Sequence, residues 1–182
     1  MNNRTKITTE KVFLCSDLHI GHANILKYDN RPFANIREHD ETLLKNWNET
    51  VGKDDHVYFL GDWCFNQAFG IKFAQNCNGK IFFILGNHDQ PLKHLQLKSR
   101  FEWVKNYHEL QFENQLICLM HYEINNWNGC HRGSAHFFGH SHKEYVGDGK
   151  KFNVGINLLD YKPILLQDAL DKVKDKVMTK HH

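Results

Sequence analysis

Aspartate, asparagine and histidine recur in this sequence in short clusters spaced to share a ligand. Asp17 and His19 stand two positions apart, as do His140 and His142, while Asp62 follows Gly61, Asn87-His88-Asp89 follows Gly86, and His121 stands alone after an apolar run. In an extended or turning segment, residues i and i+2 point to the same side, so each spaced pair can face one centre. Asp17 and Asp62 offer carboxylates, Asn87 an amide oxygen, and His19, His121, His140 and His142 imidazoles. Nitrogen and oxygen donors without thiolate suit Mn²⁺, Fe, Zn²⁺ or Ni²⁺ rather than a soft-metal site. Seven donors exceed the need of one ion and suit two divalent ions that share a bridging carboxylate. The glycines before Asp62, Asn87 and His140 allow sharp turns and close approach of an ion.

Each cluster falls directly after a run rich in β-branched and aromatic residues, which reads as a strand. These runs are 12–15, 56–60, 80–85, 115–120 and 136–138, with a further one at 152–154. Strand ends at one sheet edge are where α/β proteins gather ligands. Residues 37–51 carry Leu43, Leu44, Trp47 and Val51 at helical steps, and predict a helix with one buried face. Weaker helical patterns cover 66–77 and 91–99. Residues 103–112, a turn at Glu113-Asn114 and 115–120 read as a hairpin, and 165–177 as a closing amphipathic helix. The first half is β-α-β-α-β and the second mostly strands, which predicts an α/β sandwich in one domain spanning 1–182.

The whole-chain figures exclude several classes. With 182 residues, 41% hydrophobic and 24% charged, the chain is long enough for one core and is not a disordered polymer. Lys plus Arg number 23 against 21 for Asp plus Glu, a net +2 without a basic tract. A long polyanion is therefore a disfavoured partner. No run approaches the ~20 apolar residues of a membrane span, and the polar opening lacks a secretory core. Five cysteines without a CxxC pair read as reduced thiols, and the expected compartment is cytoplasmic.

Taken in order, D-x-H, G-D, G-N-H-D, H and G-H-x-H make the sequence resemble the calcineurin-like metallophosphoesterases, specifically their compact bacterial and phage members. The motifs span Asp17 to His142. The resemblance implies a four-layer α-β-β-α sandwich of two mixed sheets flanked by helices, with the metals at one edge. It implies that Asp17, His19 and His142 hold one ion, that Asn87, His121 and His140 hold the other, and that Asp62 bridges them. A phosphomonoester or phosphodiester would then be attacked by a hydroxide shared between the ions. His88 would be the general acid, since an imidazole can deliver a proton near neutral pH. Asp89 either orients His88 or braces its loop. After Gly61-Asp62 the chain reads Trp-Cys-Phe-Asn, not the Asp-Arg-Gly of Ser/Thr protein phosphatases, so that branch is disfavoured. Glu123 stands where compact relatives often have proline; neither departure removes a ligand.

Substrate contacts have two readings each. Arg31 either clamps phosphate bidentately or sits in a salt bridge. His22 either lines the pocket or caps a helix with Asn24. Trp127 with Arg132 either stacks a nucleobase and holds its phosphate or packs the 121–140 loop down. The expected substrate is a small phosphorylated compound, a nucleotide among the options. A nuclease acting on DNA or RNA ends is the near alternative, and a silent metal-binding scaffold for a protein partner is the alternative of another class.

Overall fold

The computed structural model describes residues 5–7, 11–89 and 99–179. Among the described residues, ten strands form two mixed five-stranded sheets. The first sheet contains β2 (Val12–Cys15), β3 (His56–Phe59), β4 (Lys80–Ile84) and β5 (Phe101–Lys105), all parallel, with β10 (Ile164–Leu165) antiparallel on β2. The second has the order β1 (Thr5–Ile7), β6 (Tyr107–Phe112), β7 (Gln115–Met120), β8 (Ala135–Phe138) and β9 (Lys151–Asn153), in which only the β6–β7 hairpin is antiparallel.

Strand alternation sorts the apolar residues into two cores. A short α1 (Ile25–Tyr28) follows β2; Phe13 and Cys15, Val57 and Phe59, and Ile81 and Phe83 face α2 (Ile36–Thr50) and α3 (Gln67–Asn76), where they meet Leu43, Trp47 and Phe73. Their neighbours Val12, Leu14, Tyr58, Leu60 and Ile84 point the other way, onto Leu110, Ile117, Leu119 and Phe137 of the second sheet. That core is also closed by Leu166 and Ala169 of α4 (Leu166–Asp171).

Helix α2 starts at Asn35, whose side chain accepts the Glu38 N–H, and α3 starts at Asn66 in the same way with Phe69. The outer face of the second sheet, with Cys118, His136 and Phe138, is covered by the 121–134 segment and its single 3-10 turn at Cys130–Arg132.

Two expectations need correction. Residues 103–112 are not one hairpin arm: the strand breaks at Asn106, so 101–105 completes the first sheet and 107–112 opens the second. The closing helix is shorter than 165–177, ending at Asp171 and continuing as turns. The helix expected at 91–99 lies almost wholly outside the described residues. Among the described residues no helix is long and apolar enough to cross a membrane.

Candidate metal centre

Because β2, β3 and β4 run parallel, the loops that follow them emerge at one edge, and the loops after β7 and β8 meet them there. Asp17 N–H donates to Gly61 O, His19 N–H to Asp62 O, and Gly139 N–H to His121 O. Five of the seven expected ligands, Asp17, His19, Asp62, His140 and His142, have φ between 53° and 66°. Only a few per cent of non-glycine residues adopt this left-handed region, and clusters of them mark functional sites. Gly86 is required by close approach, since a Cβ there would press into the Asp62 carboxylate and the His121 ring.

Two groups of side chains converge. Ligand atoms of Asp17, His19 and His142 lie within 4.8 Å of one another, and so do those of Asp62, His121 and His140. Asn87 Oδ1 is 3.0 Å from His121 Nε2. Asp62 Oδ2 lies 3.6 Å from both His19 Nε2 and His121 Nε2, so it sits between the groups.

The hydrogen bonds behind the rings fix which nitrogen faces inward. His121 Nδ1–H donates to Leu60 O at 2.7 Å, and His142 Nδ1–H donates to Asp29 Oδ2 at 2.6 Å. With Nδ1–H turned outward, His121 presents Nε2 to Asp62 Oδ2 and Asn87 Oδ1, and His142 presents Nε2 to Asp17 Oδ1 at 3.5 Å and His19 Nε2 at 3.2 Å; against its burial, the Asp29 bond and the Asp17 carboxylate raise the His142 imidazole. At His121 a neutral Nε2 thus faces two acceptor oxygens, which is costly unless a cation lies among them.

Burial pushes the Asp17 carboxyl up to about 7, opposed by His142 and the Ser16 hydroxyl, and raises Asp62 as well. It pushes His121 down to about 4 and lowers His19 strongly, and the His142 charge adds to the drop at His19. Neutral imidazoles beside carboxylates short of positive charge are the state a divalent cation would resolve.

His88 stands at the rim, with Nε2 4.0 Å from Asp62 Oδ2 and its side chain 41% exposed. Its N–H donates to Asp62 Oδ1. Asp89 does not touch that ring; it braces the loop, accepting N–H bonds from Asp62, Trp63 and Gly86. A cleft of about 720 Å³ opens beside the first group, lined by His19, His22, Tyr28, Phe65, His88 and Lys143 among others. His22 is thus at the cleft, stacked on Phe65 at 3.8 Å.

Three substrate contacts are corrected. The Arg31 side chain is fully buried and its five N–H donors are all committed, to Asp29, Leu18 O, Asp17 O and His39, so none remains for a phosphate. Trp127 is 6% exposed, donates to Ser134 O and packs toward His136, leaving no face for a base. Arg132 points outward to His131 and does not line the cleft. The sequence reading passed over Asp29, Tyr28 and Phe65. Asp29 was visible as the acid two residues before Arg31, and Phe65 as the aromatic three residues after Asp62.

The two sheets carry five ligand-bearing loops at one edge, where the sequence motifs led one to expect them. The uncharacterized protein MJ1445 of Methanocaldococcus jannaschii is 32% identical over 180 residues, covering 93% of this chain and 94% of that one, and the chain belongs to its family. No protein-family model matches. Among solved structures, the fold is similar to the protein of unknown function AQ665 from Aquifex aeolicus, with TM-score 0.72 and 20% identity over 90% of this chain and 99% of that one. A looser likeness, TM-score 0.45 and 17% identity over 80% of this chain and 78% of the other, is to Yfce, a phosphoesterase from E. coli.

Proposed function

We propose that the chain is a phosphoesterase dependent on two divalent ions, Mn²⁺ first among them. Asp17, His19 and His142 would hold one ion and Asn87, His121 and His140 the other, with Asp62 shared. The observation that carries this reading is the position of Asp62 Oδ2, 3.6 Å from an imidazole nitrogen of each group. When bound, such a pair clamps phosphoryl oxygens and makes water acidic enough to supply a nucleophile near neutral pH. His88, at the rim and free of the ligand cluster, donates the proton to the departing ester oxygen. The backbone bond from His88 N–H to Asp62 Oδ1 keeps that acid in register with the centre.

The aromatic wall of the cleft favours an ester arm with a planar ring, as in a nucleotide. Tyr28 is 72% and Phe65 50% exposed, and the Phe65 ring lies 4.7 Å from His88, on the side where an alcohol would leave. Exposed rings grouped at a cleft mark ligand contacts.

Colorimetric turnover of para-nitrophenyl phosphate and its bis-ester, with and without Mn²⁺, tests the function. Mn²⁺-dependent release from either ester is expected. No release with Mn²⁺, Ni²⁺, Zn²⁺ or Fe²⁺ would favour the scaffold reading.

A further inference from the structure

Asp29 and Arg31 lie behind the centre and have no part in the reaction as described so far. Asp29 Oδ2 accepts the His142 Nδ1–H at 2.6 Å and also the Nε–H and an Nη2–H of Arg31, at 3.1 and 2.9 Å. The other Nη2–H of Arg31 donates to Asp17 O at 2.9 Å, and Nη1 donates to Leu18 O at 3.2 Å. Those two carbonyls belong to the loop that holds Asp17 and His19 at φ 59° and 53°. Nη1 also donates to His39 Nε2, whose Nδ1–H donates to Asp40 Oδ1, and Asp40 Oδ2 in turn accepts the Gly21 N–H. One buried network therefore grips the turn from both ends.

We propose that Asp29 and Arg31 are positioning residues that set how tightly the Asp17–His19–His142 group holds its ion, without touching the other group. The proposal rests on the two-ion reading above. Its physical content is threefold. The Asp29 carboxylate fixes the tautomer and plane of His142 and makes its Nε2 a better donor to a metal. The Arg31 guanidinium neutralises Asp29 in a buried place, where an unpaired carboxylate would be costly. Its remaining donors hold a left-handed backbone that would otherwise relax. Through His142 Nδ1 and the carbonyls of Asp17 and Leu18, these contacts reach the first group and its loop, and among the described residues no hydrogen bond from Asp29 or Arg31 reaches Asn87, His121 or His140.

Calorimetric titration of the metal-free chain with MnCl₂ tests this, alongside a thermal melt without metal. The wild-type chain should take up two ions. Asp29→Ala should weaken one binding step about 10–100-fold and leave the other unchanged. Asp29→Asn, which keeps an acceptor oxygen for His142, should recover part of that loss. Asn87→Ala should weaken the opposite step, which assigns each step to its group. Unchanged affinities in Asp29→Ala, or an equal loss at both steps, would overturn the proposal while leaving the two-ion reading intact. A wild-type chain that binds no ion would overturn both.

Discussion

Asp89 accepts the backbone N–H of Asp62 from 27 residues away, and with it those of Trp63 and Gly86 at 2.9 Å each. One buried carboxylate thus fastens the loop after β3 to the loop after β4. Asp89→Ala would leave two buried donors and the partly buried Gly86 N–H without their acceptor. The expected cost is about 2–4 kcal/mol. Urea denaturation of the metal-free chain should show a lower midpoint with an unchanged slope, and Asp89→Asn should fall between the two.

His88 and Asp62 separate the acid from the ligand. His88→Asn should lower kcat by about 10²–10⁴-fold while metal content stays at the wild-type level. Asp62→Asn should lose most activity and bound metal together, because it removes the shared charge. Metal analysis beside turnover checks both, and a His88→Asn chain that arrives metal-free would make that ring a ligand.

Stability should fall in acid for an identifiable reason. His136 is fully buried, donates from Nδ1 to Cys118 O and accepts the Ile124 N–H at Nε2. Burial pushes it down to about 4, against about 6.5 in an unfolded chain. The unfolded state therefore binds the extra proton first. This contribution is fully present above pH ~6.5 and is lost as the pH falls toward 4. His108, also pushed down to about 4 by burial and by Lys105, acts in the same window. Urea midpoints between pH 7 and 4.5 should drop progressively, and His136→Asn should flatten that slope.

Phe65 stands at the cleft, where base stacking is open to it, while Trp127 packs inside the fold. Phe65→Ala should raise KM for a nucleoside ester about 5–50-fold, the worth of one stacking face, and leave the melting temperature near wild type. Trp127→Ala should lower the melting temperature and leave KM alone. Steady-state kinetics beside a thermal melt distinguishes them.

The ligand loops were legible because each sits where a strand pattern stops and because DxH, GNHD and GHxH carry their own spacing. The helix over 36–50 was legible from the recurrence of Leu43 and Trp47. The transfer between sheets at Asn106 was not, since residues on either side are equally strand-like and only tertiary pairing distinguishes them. Arg31 misled for a related reason: a guanidinium near a ligand motif looks the same in sequence whether it faces solvent or turns inward to Asp29 and two carbonyls. Trp127 lies in the loop expected between two ligand blocks, yet its ring packs onto the second sheet at Ser134 and His136, which chain position alone does not reveal.

The left-handed backbone at Asp17, His19, Asp62, His140 and His142 bears on how such a chain could lose its chemistry. Glycine and asparagine occupy that conformation more comfortably than histidine does. A descendant released from catalysis would gain stability by drifting to those residues at all five places. On the proposed function, a chain with carboxylates and imidazoles at all five places bears that backbone cost for the sake of what they hold.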